Sequence, residues 1–485
     1  MMKRKVLLFN PPVGFYQRCE DRCQANVEGS ASASLRACND LGYMAAVLRK
    51  LNYEAKIIDY PAEKMKWDNY INDLKEFMPD VVVMSITTAT IEQDMESFKI
   101  AKEIKPEVIT IAKGAHFLSC SCEELNKNIY KVMDFALSGE SEFIIEDLIK
   151  TIDNNQSVSE VKGLLYWNYE KTEILKTLKP DFRDDLDTLP FPARDLMNNK
   201  LYPRPDTGKP MATISVSRGC PSSCIYCLTP TVSGKKVRKR SAKNIVDEIQ
   251  ECVEKYGIKD LFFKADTFTI DKKWVTEVCE EILLRGLKVE WGANSRVKPL
   301  DPETLKLMKK AGCWLIAFGI ESGSEETLEK TKKNATKTEA LQAVKWAKEA
   351  HLKISGYYLI GFPWETSKHI EETINFAKEL DCDYSEFHIV TPFEGTELYE
   401  QIKGTKLLDE SATGHDTFIN PVMKTHYLST KELLNFKNKA LKEVYLKPAY
   451  IFKTLKGIKS TNELKNYTKF GIRMLRNMLI KTIQE

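Results

Sequence analysis

Three cysteines stand close together near the middle of the chain, at a spacing that suits a metal cluster. The sequence from Arg218 to Cys227 reads RGCPSSCIYC, which places thiols at Cys220, Cys224 and Cys227. Soft thiolate ligands suit iron–sulfur centres, and a tight loop brings all three together. Zinc is the alternative, but it normally takes four ligands, and no fourth cysteine or histidine lies nearby in the sequence. The spacing therefore predicts an iron–sulfur cluster.

Polar residues follow several apolar stretches downstream of these cysteines. Asp266 follows DLFFKA, Arg296 follows WGANS, Glu321 and Ser322 follow LIAFGI, and Gly361 follows YYLI. If the stretches are parallel strands, their carboxyl ends share one edge, where catalytic groups collect. We therefore expect these residues to lie beside the cysteine loop.

A second group of cysteines lies in the first quarter of the chain. Cys19, Cys23 and Cys38 fall in a long loop after the first predicted strand, and Cys120 and Cys122 come just after the fourth. In a doubly wound sheet those two loops border the same ligand crevice. The five thiols therefore indicate an auxiliary iron–sulfur or mononuclear iron site. The cysteines that we instead expect in the core are Cys252, Cys279, Cys313 and Cys382.

The elements that position these groups form two α/β series. Between Lys5 and Lys150, β-branched runs such as KVLLFN and DVVVMSI alternate with helical patterns. Continuous apolar strands between helices predict a parallel sheet that is covered on both faces. The first series is therefore a doubly wound, Rossmann-like domain, with its ligand at the carboxyl ends of the strands.

The second series starts at Ala212 and contains six predicted strands, each followed by a helix except the last. This arrangement predicts a partial (β/α)6 barrel. A hairpin pattern from Val161 to Thr177 and a proline-rich connector separate the two series. We place the first domain at 1–155, the hairpin and linker at 156–205, the barrel at 206–400 and a helical region at 401–485.

The cysteine loop, with the aromatic Tyr226 before its third cysteine, closely resembles the signature of the radical S-adenosylmethionine (SAM) superfamily. The resemblance implies that Cys220, Cys224 and Cys227 hold three irons of a 4Fe–4S cluster, while SAM binds the fourth iron beside Tyr226. One electron from the cluster then cleaves SAM to methionine and a 5′-deoxyadenosyl radical, which abstracts hydrogen from the substrate. An electron donor such as ferredoxin or flavodoxin is implied as a partner.

The polar residues at the strand ends match positions of the same family. The resemblance implies that Asp266 faces the SAM amino group, and that Arg296, Glu321 and Ser322 contact the SAM carboxylate and ribose. Gly361 belongs to GYYLIGFPWET, which resembles the stretch that lies along the adenine. The alternative for each polar residue is a helix cap or a turn.

The first domain resembles a cobalamin-binding domain. The matching stretches are NPP from Asn10, SITT from Ser85, GAH from Gly114 and SGESE from Ser138, each after a predicted strand. The order of the two domains is that of a radical SAM branch with an N-terminal cobalamin-binding domain. That branch includes methyltransferases acting on unactivated carbon, the anaerobic cyclase of bacteriochlorophyll synthesis, hopanoid-modifying enzymes and tetraether-lipid synthases.

Two departures from this resemblance leave the occupant of the first domain open. The chain has no D-x-H-x-x-G, and it reads Lys113-Gly114-Ala115-His116 where relatives commonly read G-G-x-H, so His116 is a poor candidate for a cobalt ligand. Cobalamin in this domain would imply a methyltransferase. Auxiliary iron on the five thiols would imply radical coupling or redox chemistry.

Composition and charge limit the partners. The 485 residues carry a formal net charge of only +3, which gives no electrostatic reason to expect nucleic acid. The opening apolar run ends at Pro11, too short for a signal peptide or a membrane span. Twelve cysteines in such a chain indicate a reducing compartment. We expect a cytoplasmic protein.

The last residues of the chain are basic and amphipathic. From Leu441 to Glu485 ten lysines and arginines stand against three acids, a net charge of +7. Such a segment either lies peripherally on an anionic membrane or packs on the barrel with solvated lysines. A lipid or other large apolar substrate is the leading expectation, and the reaction is carbon–carbon bond formation or methylation at unactivated carbon. The alternatives are a cobalamin-dependent methyltransferase of a natural product and a non-catalytic redox or cobalamin sensor.

Overall fold

The structure is a computed structural model that describes residues 3–18, 35–119, 125, 128–168, 173–408 and 421–480. The side chains of residues 476–480 lie outside this description. The described residues form two compact units. One runs up to residue 201 and includes 231–234, and the other comprises the remaining residues from 202 onward.

The first unit is built on one seven-stranded sheet. Its strands are β1 (Lys5–Asn10), β2 (Glu54–Asp59), β3 (Val81–Ser85), β4 (Ile109–Lys113), β5 (Phe135–Leu137), β6 (Leu164–Asn168) and β7 (Glu173–Lys176). The helices are α1 (Asn39–Lys50), α2 (Trp67–Phe77), α3 (Ile91–Ile104), α4 (His116–Ser119) and α5 (Ser141–Asp153). The strand order is β2-β1-β3-β4-β5-β6-β7.

The predicted doubly wound domain is confirmed by this sheet. Strands β1 to β5 are parallel, and alternate residues of β1 enter two different cores: Leu7 and Phe9 lie in one, Val6 and Leu8 in the other. Burial on both faces explains why these strands are continuous apolar runs. The predicted hairpin forms β6 and β7, which pair antiparallel and extend this same sheet.

The chain from residue 202 onward contains the second large sheet. Its strands are β8 (Met211–Ser215), β9 (Ser217–Arg218), β10 (Arg238–Lys239), β11 (Asp260–Lys264), β12 (Glu290–Ser295), β13 (Cys313–Glu321), β14 (Lys353–Ile360) and β15 (Tyr384–Ile389). The first helices are α6 (Thr229–Val232), α7 (Ala242–Tyr256), α8 (Lys272–Leu284), α9 (Pro302–Lys310), α10 (Glu325–Lys330) and α11 (Lys337–Glu349). They are followed by α12 (Ser367–Leu380), α13 (Glu397–Ile402), α14 (Thr430–Tyr445), α15 (Pro448–Gly457) and α16 (Thr461–Ile480).

Six of these strands form the predicted (β/α)6 arrangement. Their order is β8-β11-β12-β13-β14-β15, all parallel and in chain order, while β9 and β10 form a small antiparallel ribbon. One face of the sheet is covered by the helices through a large apolar core. All strands therefore end at one edge, which is where the cysteine loop and the polar residues emerge.

Helix starts in this unit coincide with capping residues. The side chains of Ser241, Asp271 and Asp301 accept hydrogen bonds from backbone N–H groups at the starts of α7, α8 and α9. Pro302 occupies the beginning of α9, and Gly257 ends α7 at a φ of +66°. These residue types provide acceptors for the otherwise unpaired N–H groups and the left-handed conformation that helix ends require.

Charged and aromatic side chains fill the amino-terminal end of this barrel. Arg204 is 5% exposed and donates to carboxylates of Asp206, Asp260 and Glu290. Its guanidinium carbon lies 3.5 Å from the ring centroid of Trp314. A buried arginine is stable only when its charge is paired, as it is here.

One face of α16 packs at that same end. The hydroxyl of Tyr467 lies 2.8 Å from that of Tyr384, and Asn466 Nδ2 donates to the carbonyl oxygen of Asp206 at 3.0 Å. Met474 is buried in the barrel core. The helical region is therefore part of the barrel's packing, which was one of the two expectations for it.

The other faces of α15 and α16 expose large apolar side chains. These are Ile451, Phe452 and Leu455 on α15, and Leu464, Ile472 and Leu475 on α16. Within the described ranges, the helices are all too short or too polar to cross a bilayer.

Candidate active site

Backbone hydrogen bonds from three parts of the barrel hold the cysteine loop. The N–H of Gly219 donates to Asp266 Oδ2 at 2.7 Å, and the N–H of Ile225 donates to the carbonyl oxygen of Thr331 at 3.1 Å. The carbonyl oxygen of Ile225 accepts from the N–H of Leu398 at 2.9 Å. The loop is thus fixed at its start and in its middle, by Asp266, which the sequence singled out, and by Thr331 and Leu398, which it did not.

Two of the three thiols have polar groups beside their sulfur atoms. Cys220 and Cys224 are each 9% exposed, Cys227 is half-buried, and none is in a disulfide. Arg296 Nη1 lies 3.7 Å from Cys224 Sγ, and the N–H of Thr229 lies 3.4 Å from Cys227 Sγ. These groups can donate hydrogen bonds to sulfur.

The cysteine loop offers three thiols to a cluster. Cys220, Cys224 and Cys227 belong to one loop that hydrogen bonds hold at its start and in its middle, and none of the three is in a disulfide. In a cubane each thiolate binds its own iron. The loop therefore fits a 4Fe–4S cluster, held by Cys220, Cys224 and Cys227.

An aromatic wall stands beside the cysteines. The ring centroid of Tyr226 lies 5.7 Å from that of Phe362, and Phe362 stacks on Trp364 at 5.3 Å. Loss of hydration, followed by the charge of Glu321, raises the pKa of Tyr226 well above its ordinary value, so its hydroxyl stays protonated. Flat aromatic faces near a cluster suit the adenine of SAM.

Arg296 and Glu321 meet at a residue that the sequence did not single out, Lys333. Lys333 Nζ lies 2.7 Å from Glu321 Oε1, and Arg296 donates to the carbonyl oxygen of Lys333. Burial opposes the charge of Arg296, but the thiols of Cys224 and Cys220 raise its pKa above the ordinary value. Arg296 and Glu321 are therefore brought together at the strand ends, with one additional cation.

Two predicted residues serve the turns that follow their strands. Ser322 is fully buried, and its hydroxyl lies 3.0 Å from Thr373 Oγ1 and accepts from the N–H of Ser324. Gly361 adopts a φ of +97°, a conformation that suits glycine. Ser322 is thus turned into the protein, and its contact with SAM stays a prediction.

A buried carboxylate holds the turn at Gly361. Glu365 accepts hydrogen bonds from the N–H groups of Gly361 and Phe362, at 2.6 and 3.1 Å, and from Thr327 Oγ1 at 3.1 Å. Burial raises the pKa of Glu365 to about 7, although these hydrogen bonds lower it. The glutamate was visible in the sequence stretch around Gly361, but its burial was not.

The inner face of the barrel is polar near this edge. Because alternate strand residues enter the helix-covered core, Lys264, Asn294, Tyr357, Glu386 and His388 face the opposite, inner surface. His388 Nε2 lies 3.6 Å from Glu386 Oε2, and its ring centroid is 6.3 Å from that of Tyr357. This wall can donate and accept hydrogen bonds to a substrate.

The first unit presents its own edge, where β3 and β4 end. Arg18 and Asp94 form a fully buried ion pair at 2.8 Å, and Arg18 also donates to the carbonyl oxygen of Ser85. Lys113, which stands where relatives commonly have glycine, is buried with its Nζ 2.5 Å from Asp40 Oδ2 in α1. These pairs fix the loops after the strands.

His116 lies at this edge with both ring nitrogens engaged. Its Nδ1 is 3.3 Å from Thr88 Oγ1, and its Nε2 is 2.8 Å from the hydroxyl of Tyr130. Neither nitrogen is directed to an open position, so the edge fits a corrin whose cobalt takes no ligand from this histidine.

The cysteines of the first unit are described only in part. Cys38 is 1% exposed in an apolar core, with its Sγ 3.8 Å from Met197 Sδ. Cys19, Cys23, Cys120 and Cys122 lie outside the described residues. An auxiliary iron site therefore stays a prediction, and the surroundings of Cys38 are those of a core thiol. The four predicted core cysteines are all buried: Cys252, Cys279, Cys313 and Cys382.

Two family profiles match the chain. Residues 40–149 match the B12 binding domain, and residues 214–377 match the Radical SAM superfamily. The first match lies in the doubly wound sheet, and the second contains the cysteine loop and the strand-end residues. The cofactors of these domains are cobalamin, a 4Fe–4S cluster and SAM.

Curated relatives span both domains. An uncharacterised methyltransferase of Pyrococcus horikoshii is 32% identical over 94% of this chain and 95% of its own length. The anaerobic magnesium-protoporphyrin IX monomethyl ester cyclase of Cereibacter sphaeroides is 28% identical, over 84% of this chain and 67% of its own. The hopanoid C-3 methylase of Methylococcus capsulatus is 26% identical, over 74% and 67%.

A solved structure shares the fold of the whole chain. The cobalamin-dependent SAM radical enzyme OxsB, with aqua-cobalamin and SAM bound, aligns with a TM-score of 0.72 at 14% identity, over 98% of this chain and 72% of that one. The two profiles and the methyltransferase relatives show that the chain is a transferase. The chain belongs to the radical SAM superfamily, in the cobalamin-dependent branch that carries an N-terminal B12-binding domain.

Proposed function

We propose that this enzyme transfers a methyl group to an unactivated carbon of its substrate. The observation that carries the proposal is the cysteine loop, which shares one strand-end edge with Asp266, Arg296 and Glu321 in a chain that also has a B12-binding domain. When bound, the cluster and SAM supply a hydrogen-abstracting radical, and cobalamin supplies the methyl group. Methyl transfer was the alternative at the sequence level, and the methyltransferase relatives favour it over radical coupling.

The strand-end residues contact different parts of SAM. Asp266 accepts from the SAM amino group, and Glu321 accepts from the ribose hydroxyls. Arg296 faces the SAM carboxylate and lies beside the sulfur of Cys224. The aromatic wall of Tyr226 and Phe362 covers the adenine and excludes water from the reacting bond. The substrate then enters along the polar inner face of the barrel.

Two products of SAM test the proposal. The protein would be purified without oxygen and given cobalamin, reduced ferredoxin or flavodoxin, and SAM labelled in its methyl group. We expect 5′-deoxyadenosine from reductive cleavage and S-adenosylhomocysteine from methyl donation. The C224A variant should form no 5′-deoxyadenosine, whereas C252A, which changes a buried core thiol in α7, should form both products.

The same assay separates the competing functions. 5′-Deoxyadenosine without S-adenosylhomocysteine would favour radical coupling and overturn methyl transfer. If neither product formed, a non-catalytic sensor would be favoured.

Iron content separates cobalamin from auxiliary iron in the first domain. We expect about four irons and one cobalamin per chain, because one cubane accounts for the radical SAM loop. Replacing Cys19, Cys23, Cys38, Cys120 and Cys122 by alanine should leave the iron unchanged. A loss of iron in that variant would establish the auxiliary site and contradict this assignment.

A lipid-like substrate with a polar reacting end fits the two surfaces described above. The inner face of the barrel carries Tyr357, Glu386 and His388, which suit hydrogen-bonding groups near the reacting carbon. The exposed apolar side chains of α15 and α16 suit a membrane, and a hopanoid methylase is among the relatives.

The charge of the last two helices favours an anionic membrane. Residues 446–480 contain eight lysines and arginines and one acid, Glu463. Basic residues around exposed apolar side chains are typical of helices that lie on anionic bilayers. We therefore propose that the enzyme works at the cytoplasmic surface of a membrane.

A further inference from the structure

A short segment after α10, residues 331–334, connects the cysteine loop to the end of β13. Its first residue, Thr331, accepts the hydrogen bond from the N–H of Ile225 inside the cysteine loop. Its third residue, Lys333, accepts from Arg296 through its backbone carbonyl. Lys332 and Asn334 adopt positive φ values of +53° and +52°, so the chain turns sharply on both sides of Lys333.

The side chain of Lys333 turns into the barrel instead of out to solvent. It is 5% exposed, and its Nζ lies 2.7 Å from Glu321 Oε1, which is itself only 12% exposed. A Cβ on Gly319 would come within 2.5 Å of Glu321 Oε1 and 2.9 Å of Lys333 Nζ. The ion pair therefore lies directly over Gly319, on the inner face of β13, near the carboxyl end of the strand.

A gain in folding stability does not explain why the ion pair of Glu321 and Lys333 is buried. A buried ion pair gains little net stability, because both charges lose their hydration. The backbone of Glu321 is also in the left-handed region, at a φ of +71°, which an ordinary side chain adopts at a cost. Strain and buried charge at one residue indicate a position that is kept for its geometry.

We infer that Lys333 is a positioning residue that sets Glu321 and Arg296 for SAM. Its ammonium holds the carboxylate of Glu321 in one orientation toward the ribose, and its carbonyl holds the guanidinium of Arg296 near Cys224. One residue thereby couples the SAM-facing end of β13 to the cluster loop. The inference rests on the proposed function in one respect, that Glu321 contacts SAM.

The test compares K333M with K333R and with K243M in anaerobic holoprotein. Lys243 forms a surface ion pair with Asp247 at 2.7 Å and is 77% exposed. K243M therefore removes a lysine–carboxylate pair that is open to solvent, and it serves as the control. The readouts are iron and sulfide content, the dissociation constant of SAM, and the electron paramagnetic resonance (EPR) spectrum of the reduced cluster with and without SAM.

We expect K333M to keep its iron, to bind SAM about tenfold more weakly and to lose most of the spectral change that SAM causes. K333R should recover SAM affinity to within about threefold, because it restores the donor. K243M should match the wild type. Wild-type SAM affinity and an unchanged SAM-induced spectrum in K333M would overturn the inference.

The E321Q variant keeps the test decisive if K333M fails to hold its cluster. E321Q alone should keep its iron and weaken SAM binding about tenfold, as K333M is expected to do. Where K333M does keep its cluster, the double variant E321Q/K333M should bind SAM no more weakly than K333M, because each single change already breaks the same Glu321–Lys333 contact. Additive losses would contradict the coupling. If SAM affinity is unchanged in E321Q while 5′-deoxyadenosine and S-adenosylhomocysteine still form, the positioning role fails and methyl transfer stands.

Discussion

The carboxylate of Asp266 accepts a 2.7 Å hydrogen bond from the backbone N–H of Gly219, the residue immediately before the first cysteine of the cluster loop. Gly219 itself has a φ of +92°, so the chain enters the loop through a turn that few other residues adopt. The same acid is proposed to face the SAM amino group. In that proposal, support of the loop and binding of SAM share one side chain.

Two substitutions of Asp266 should separate these tasks. D266A removes the acceptor and should lower iron content, because the start of the loop is no longer held. D266N keeps an acceptor oxygen but no charge, so it should retain iron and bind SAM about tenfold more weakly. Iron analysis and equilibrium binding of SAM check both. D271N, at the cap of α8, is the control, and full iron with wild-type SAM affinity in D266A would contradict the assignment.

Glu365 should make stability depend on pH. Its pKa of about 7 in the folded protein exceeds the ordinary value of 4.5, so between these values the folded state holds a proton that the unfolded chain has lost. Stability from this group is therefore fully present below about pH 4.5 and falls as the pH rises to about 7. E365Q keeps an acceptor and cannot ionise, so its stability should depend less on pH over this range.

Thermal unfolding across this pH range measures the effect. The control is E371Q, which changes a surface glutamate paired with Lys439 and should leave the slope as in the wild type. An undiminished slope in E365Q would show that another group is responsible.

His116 should not be needed for the binding of cobalamin. Its nitrogens already contact Thr88 and Tyr130, so H116A should bind hydroxocobalamin with wild-type affinity and an unchanged absorption spectrum. The reduced Co(II) form of the wild type should show no nitrogen splitting in its EPR spectrum. A splitting that disappears in H116A would identify the histidine as a cobalt ligand after all.

The exposed faces of α15 and α16 should direct the enzyme to anionic lipid. Wild-type protein should co-sediment with phosphatidylglycerol vesicles and much less with phosphatidylcholine vesicles, and salt should weaken the binding. F452D/L455D should lose most of it. L284D changes an 82% exposed leucine on α8 and should bind as the wild type does. Equal binding by both variants would rule out this surface.

Much of the barrel could be predicted because its helices are long, periodic and capped. The apolar periodicity predicts helices over 242–256 and 367–380, and α7 and α12 have these bounds, with Ser241 and Gly257 at the two ends of α7. By contrast α10 has only six residues, too few for a periodic pattern, so the sequence does not predict it. That helix delivers the segment with Lys333, so the omission hid part of the site.

The direction in which side chains point was the second feature that the sequence could not predict. Lys330, Lys332 and Lys333 look alike in the sequence, and only tertiary packing shows that Lys333 is buried. The sequence also does not show that the chain turns at the positive φ of Glu321 and that the Ser322 hydroxyl lies against Thr373, and the contact of Ser322 with SAM stays a prediction. Motif spacing identifies a strand end, whereas the turn that follows decides which way each side chain points.

The contact between Tyr467 and Tyr384 has a consequence for the order of events during synthesis. These residues are 83 positions apart, and Asn466 and Asp206 are 260 positions apart. The first unit can fold while the barrel is still being translated, since domains generally fold as units in the order of synthesis. The contacts of α16 with the amino-terminal end of the barrel can form only after the whole barrel has been translated, so the packing of that end is completed long after the three cluster thiols have been made.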